Sequence, residues 1–362
     1  MTENDFLCMT KAKINIFICF DNIKCLSYNY IIIQAKRRTN QMNIVFYSNV
    51  TTKERSYSEL PGLKNHDVSF IRLNDKNKLL SKTDTQVLLV DAMGKVDKEI
   101  ISAFPNLKMI MSEGVGYQGI DVAFADEKGI PVCNNKGVND TAVAEAALLL
   151  ILSCLRSVIT GHQSVYDGRQ IEVKKASFGV IKEISECTVG LIGFGDIARC
   201  TAKFLNAIGA RVLYTNRTRY EELEEEYNVT YTALDSLLKQ SDFVSLHLAA
   251  NEQTRNIVNA GFLDKMKTDA FLINTARGDL VDNEALLNAL LDNKIAGAGL
   301  DVIHPEPITA DNILLDERIK NKLVLTPHTG GITHLTVKKI YNNIWENILR
   351  LENNEPLKNR VN

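Results

Sequence analysis

Residues 188–217 read TVGLIGFGDIARCTAKFLNAIGARVLYTNR: an apolar strand, a glycine turn, a helix and a second apolar strand. Gly193, Gly195 and Ala198 form the pattern G-x-G-x-x-A. The first glycine serves the tight turn, the second lets a pyrophosphate approach the backbone, and the alanine lets the helix pack on the strand. The N–H groups at the start of that helix, and the positive end of its dipole, favour a phosphate. A glycine pattern alone is weak, but the strand before it and the helix and strand after it supply the context that predicts a dinucleotide site.

The residue at the end of the second strand sets cofactor preference. An acid there, roughly 20 residues beyond the glycines, binds the ribose hydroxyls of NAD. This chain has Asn216, followed by Arg217, Thr218 and Arg219. Losing the carboxylate removes repulsion of a 2′-phosphate, and a guanidinium can grip that phosphate with two hydrogen bonds. NADP(H) is therefore the expected cofactor, with NAD(H) possible if TNRTR is a solvated turn.

Outward from this unit, short apolar strands alternate with amphipathic helices. From Met42 they run NIVFY, SYSELPGL, VSFIRL, KNKLLS, VLLVDA, KEIISAF, LKMIMSEG, DVAFADEKG and IPVCNN, and after residue 188 they run through DFVSLHL, AFLINTA and AGAGLDV to KLVLTPH. Such alternation predicts an α/β protein with doubly wound parallel sheets. At 362 residues the chain exceeds what one core usually holds, so two domains are expected. Residues 141–161, TAVAEAALLLILSCLRSVITG, read as one long apolar helix that either links the domains and packs against a partner subunit or is a buried core helix. The helix beginning THLTVKK returns to the first domain.

Residues 1–41 differ from the rest. They hold Cys8, Cys19 and Cys25 of the seven cysteines and show no sustained periodicity. Asp21 follows INIFICF directly, with no small-residue cleavage site. They are expected to be an N-terminal extension, either dispensable or arising from a mis-assigned start, with the domain beginning at Met42. The other cysteines, Cys133, Cys154, Cys187 and Cys200, show no metal-ligand spacing and read as reduced thiols of a cytoplasmic protein. A net charge of −2, with no basic run beyond Lys36, Arg37 and Arg38, argues against a nucleic-acid partner. The apolar stretches fall short of the roughly 18 residues of a membrane helix, and no membrane partner is expected.

Three polar residues stand at the ends of strand-like runs in the C-terminal half: Arg277 in LINTARGDLVD, Glu306 in GAGLDVIHPEP and His328 in LVLTPHTGG. Alone, each could be a surface ion-pair partner or a loop residue. Together, a carboxylate-binding cation, an acid and a titratable imidazole suit catalysis better than a core.

From Met42 onward the sequence resembles the D-isomer-specific 2-hydroxyacid dehydrogenase family. The resemblance rests on EGVGYQGID (113–121), GVNDTAVAE (137–145), GLIGFGDIA (190–198), SDFVSLHL (241–248), INTARGDLVDNEAL (273–286), GLDVIHPEP (299–307) and TPHTGG (326–331). It implies a discontinuous flavodoxin-like substrate domain, residues 42–141 and 331–362, around a Rossmann cofactor domain, residues 142–330, in a homodimer. It also implies reduction of a small 2-keto acid such as glyoxylate or hydroxypyruvate. Arg277 would grip the substrate carboxylate and polarise its carbonyl, His328 would give the proton, and Glu306 would keep that imidazole charged. The backbone N–H groups of Val115 and Gly116 would hold the carboxylate from the other side. Besides Gly193, Gly195, Asn216, Arg217 and Thr218, the same motifs place cofactor contacts at Asp196, Ile197, His247, Thr275, Ala276, Asp301 and Gly330. No metal is called for.

Departures from the family pattern include Asn216 in place of the acid, Ala249 and Ala250 where a proline is common, Gly119 for an asparagine, and Lys136 before Gly137. Two rival readings remain: a short-form 3-phosphoglycerate dehydrogenase, for which VDAMGKVD offers only Lys95 as a cleft cation, and a dinucleotide-sensing binding protein like the co-repressors that resemble this family.

Overall fold

The structure is a computed structural model that describes residues 41–49 and 61–362. The expectations for residues 1–40 and for most of SYSELPGL lie outside the described residues. Strands β1 (Asn43–Tyr47), β2 (Asp67–Ile71), β3 (Val87–Val90), β4 (Met109–Ser112) and β5 (Val132–Cys133) form a parallel sheet in the order β2-β1-β3-β4-β5. A second parallel sheet holds β6 (Thr188–Ile192), β7 (Arg211–Thr215), β8 (Thr230–Tyr231), β9 (Phe243–Leu246), β10 (Phe271–Asn274), β11 (Gly297–Leu300) and β12 (Leu323–Leu325). Its order is β12-β11-β10-β9-β6-β7-β8. Both orders reverse direction beside their first strand, and the crevice outside the carboxyl ends at such a switch point is where open α/β sheets bind ligands. The sequence could announce these strands because helices cover both faces of a parallel sheet. VLLV of β3 and FVSL of β9 are buried throughout, and strands in that position read as continuous apolar runs.

The C-terminal helix His334–Glu352 belongs to the first sheet's core. Ile344, Trp345 and Ile348 pack with Met42, Ile44, Phe46, Leu89 and Met109. Gly62 is required there, because a methyl group at its Cα would overlap the Trp345 ring. The last residues run back along β5, with Val361 N–H donating to Val132 O at 2.9 Å and Cys133 bridged antiparallel to Arg360.

The chain therefore crosses between the sheets twice, at residues 134–140 and 326–333. The crossings touch: a methyl group on Gly331 would lie 2.7 Å from Asn139 Nδ2.

The expected helix over 141–161 is corrected by the structure. One helix covers Asp140–Leu155, a second covers Val158–Tyr166, and they meet at 57°. Ser157 turns the chain in the left-handed region at φ 47°. The break comes where burial ends, since Leu150, Ile151 and Cys154 pack under the second sheet whereas Val158 and Ile159 face outward. Among the described residues no single helix is long and apolar enough to cross a membrane. Cys133, Cys154 and Cys187 are buried free thiols, and burial pushes Cys133 up to about 11 and Cys154 up to about 12.

Candidate active site

The glycine turn leads from β6 into the helix Asp196–Ala207, capped at Gly195. Gly193 has φ 90°, and a side chain there would collide with His247 O at the end of β9. Gly195 meets no such obstacle: nothing lies within 4 Å of the place a Cβ would take. That open cradle faces the first helical turn, Asp196 and Ile197 included, whose N–H groups have no partners within the helix. Ala198 is fully buried against the strand side. The residues thus fit a pyrophosphate on geometry as well as on pattern.

At the end of β7, Asn216 Nδ2 donates to Thr218 O at 3.0 Å and so folds the turn that carries Arg217. Arg219 is committed elsewhere, with Nε and Nη2 donating to Glu224 at 2.7 and 2.9 Å. Arg217 has no ion pair among the described residues and remains the available guanidinium. His247 lies behind the glycine turn, its Nε2 3.0 Å from Ser245 Oγ. Burial pushes its imidazole down to about 4, so it is neutral. Thr275 Oγ1, just past β10, is buried without a protein partner, and Ala276 follows it at the turn.

Arg277 follows that turn. The buried Asn274 closes it, its Nδ2 donating to Arg277 O at 2.9 Å while its Oδ1 accepts from Ala276 N–H at 3.0 Å. The next residue must be glycine, because a Cβ on Gly278 would lie 2.3 Å from His304 N. This contact seats the arginine backbone directly on the segment leading to Glu306. Burial lowers the Arg277 guanidinium from its ordinary range, and the charges of Glu306 and Asp279 partly restore it.

The histidine is held from Asp301, at the end of β11. Asp301 Oδ1 accepts from Thr326 Oγ1 at 2.6 Å and from Thr329 N–H at 3.0 Å, Oδ2 accepts from Gly330 N–H at 2.9 Å, and Asp301 O accepts from His328 N–H at 2.9 Å. Gly330 lets that carboxylate come close, since a Cβ there would lie 2.8 Å from Oδ2. Within this loop His328 adopts φ 55° and presents Nδ1 to Glu306 Oε1 at 2.7 Å. The Glu306 hydrogen bond raises the His328 pKa above its ordinary value, against the opposing effect of burial. Nε2 is left for a reactant.

The other lobe brings the loop 113–121 to the same place. Ser112 Oγ donates to Gly116 O at 2.6 Å, Asn134 Nδ2 to Val115 O at 2.8 Å, and Asn135 N–H to Gly114 O at 2.9 Å. With these carbonyls tied back, the N–H groups of Val115 and Gly116 have no partner among the described residues. A methyl group on Gly116 would lie 2.6 Å from Arg277 Nη2. Gly116→Ala is expected to leave the fold intact and push the flexible guanidinium aside. The expected loss in kcat/KM is about 10-fold to 100-fold with an unchanged melting temperature, as one displaced transition-state donor implies; a parallel thermal melt and keto-acid assay check it.

Arg277, Glu306 and His328 are therefore brought together, with Val115 and Gly116 opposite. Asp301 and Gly330 serve this site first as the frame of the histidine loop. Asn274, Ser112 and Asn134 were not singled out from the sequence; the only signal for Asn274 was its place at the end of the LINTA run.

Comparison with known proteins gives the same frame. Residues 148–330 match the family described as D-isomer specific 2-hydroxyacid dehydrogenase, NAD binding domain. The chain is 36% identical to a glyoxylate reductase of Thermococcus litoralis over 291 residues, covering 78% of this chain and 86% of that one. It is 38% identical to a hydroxypyruvate reductase of Thermotoga maritima over 273 residues, covering 75% and 86%. Among solved structures, D-lactate dehydrogenase from Aquifex aeolicus, complexed with NAD and lactic acid, superposes with a TM-score of 0.75 at 27% identity, covering 88% and 99%. An acyclic imino acid reductase in complex with NADPH and D-Arg superposes with a TM-score of 0.76 at 27% identity, covering 88% and 100%.

Proposed function

Since this chain belongs to the D-isomer-specific 2-hydroxyacid dehydrogenase family, and is thus an oxidoreductase that uses a nicotinamide dinucleotide, we propose that it reduces a small 2-keto acid of the glyoxylate or hydroxypyruvate type. The observation that carries this reading is the 2.7 Å pair of His328 and Glu306 beside Arg277, opposite the open N–H groups of Val115 and Gly116.

A reduced nicotinamide dinucleotide, held at the turn of Gly193 and Gly195 and at the helix start of Asp196 and Ile197, would supply the hydride. Arg277 holds the substrate carboxylate with two parallel hydrogen bonds and leans on the carbonyl oxygen, where negative charge develops. Val115 and Gly116 hold the carboxylate from the opposite lobe. His328, charged through Glu306, gives its Nε2 proton to the nascent alkoxide, and the imidazole ends neutral. Residues 42–141 and 331–362 act as the substrate domain and 142–330 as the cofactor domain, which puts the site in the cleft between them.

NADPH is the proposed reductant. Asn216 brings no charge against a 2′-phosphate, and Arg217 is free to meet it. NADPH is expected to give at least about a 10-fold higher kcat/KM than NADH, and Arg217→Ser to remove most of that preference, in line with loss of one charge-assisted bidentate contact. Assays of a 2-keto-acid panel with both cofactors test the reaction and the preference together; NADH favoured in the wild type would mean that Arg217 points to solvent.

The homodimer is proposed to form over Val165, Tyr166, Ile171, Phe178 and Val180. These residues are large, apolar and exposed, and they follow one another beyond the bend at Ser157.

A further inference from the structure

A cavity of about 290 Å³ is walled by Gln118 from one lobe and by Ala250, Asn251, Glu252, Arg255 and Asp279 from the other. Two observations set it against the reacting end of the cleft. Asp279 stands two residues beyond Arg277, and its charge acts on that guanidinium. Gln118 Oε1 and Arg277 Nη2 also converge on one point, lying 2.9 and 2.6 Å from where a methyl group on Gly116 would be. A keto acid whose carboxylate is held by Arg277 and the Gly116 N–H has one remaining substituent on its carbonyl carbon, and Gln118 and Asp279 link this cavity to that end of the cleft.

The wall has a definite chemistry. Arg255 Nη1 donates to Asp279 Oδ1 at 3.0 Å, and His304 Nδ1 lies 3.3 Å from the same oxygen. The Arg255 charge is thus already matched within the wall. Glu252 adds a second carboxylate with no ion pair among the described residues, so one guanidinium faces two acids. A phosphate, which carries nearly two negative charges near neutral pH, would meet a wall of net like charge. A neutral hydroxyl would find donors on Gln118 and Arg255 and acceptors on Asp279, Glu252 and Gln118.

We propose that this cavity is the subsite for the substrate's tail, and that it selects a short, uncharged, hydrogen-bonding group over a phosphorylated one. The inference rests on the 2-keto-acid reaction given above and names the substrate class within it. Arg255, which at first sight offers the cleft cation a phosphorylated substrate needs, is neutralised for that purpose by Asp279.

Steady-state assays of the full-length protein with glyoxylate, hydroxypyruvate and 3-phosphohydroxypyruvate test it, because these share the reacting end and differ only in the tail. Hydroxypyruvate is expected to exceed its phosphorylated counterpart in kcat/KM by at least about 100-fold, on the scale of like-charge opposition at a recognition site. Glu252→Lys should raise the phosphorylated-to-unphosphorylated ratio about 10-fold, and Gln118→Ala should lower the hydroxypyruvate-to-glyoxylate ratio about 10-fold, the size of one lost tail contact. Equal or better use of the phosphorylated substrate by the wild type overturns the subsite, as do ratios that stay put in both variants while glyoxylate is still reduced. No turnover of any keto acid, glyoxylate included, overturns the reaction and the subsite with it.

Discussion

Arg277→Ala is expected to lower kcat/KM for the keto acid by about 10²–10³-fold, roughly 3–4 kcal/mol of transition-state stabilisation, with kcat and KM both affected. The side chain does two things at once. In the proposed reaction it binds the carboxylate in the ground state, which enters KM, and it stabilises the oxygen that becomes negative during hydride transfer, which enters kcat. Arg277→Lys should recover little, since an ammonium cannot reproduce a planar pair of parallel donors. The protein should remain folded. The backbone turn is held by Asn274, and the only hydrogen bond the guanidinium makes among the described residues is to Ala276 O at 2.6 Å. Equal melting temperatures with a collapsed kcat/KM would place Arg277 in the chemistry, and near wild-type turnover would remove it.

Glu306→Gln is expected to move the alkaline limb of the reduction profile to lower pH. In the proposed reaction, reduction needs the His328 imidazolium, so the rate is expected to fall as pH rises through the His328 pKa. Glu306 raises that pKa, chiefly by hydrogen bonding, and so keeps the donor charged over a wider range. Glutamine keeps the shape and loses the charge. What then remains is burial and the Arg277 charge, which lower the pKa, against Asp301, which raises it. In the direction of hydroxy-acid oxidation the neutral imidazole is the working form, so the same variant should extend activity toward acid. His328→Gln should abolish the limb and cost about 10²–10⁴-fold in kcat, the usual range for a positioned acid–base group. Profiles of kcat in both directions between about pH 5 and pH 9, the span in which histidine titrates, check both variants; an alkaline limb that stays in place in Glu306→Gln would sever the pair. The raised pKa also links to stability. Its contribution is full below the unfolded value of about 6.5 and is lost as pH rises through the folded value.

The parts of this architecture that follow from period and burial could be read in the sequence. Both faces of each sheet are covered, so the strands appear as apolar runs, and the glycine turn can be recognised because Gly193 occupies a conformation other residues avoid. Arg277 and His328 stand three residues beyond the ends of β10 and β12, and Glu306 six beyond the end of β11, on the side where parallel sheets bind ligands. The break at Ser157 could not be read, because neither glycine nor proline marks it; the helix ends where the sheet beneath it ends, a tertiary fact. The same holds for Asp301, whose three side-chain hydrogen bonds to the histidine loop depend on residues 25 to 29 positions away. The wall shared by Gln118, Glu252, Arg255 and Asp279 likewise exists only once two lobes have folded.

The two chain crossings between the sheets run side by side at Asn139 and Gly331. Touching there, they form one seam between the lobes rather than two separate straps. Any side chain at Gly331 would therefore wedge the two connections apart at the place where they meet.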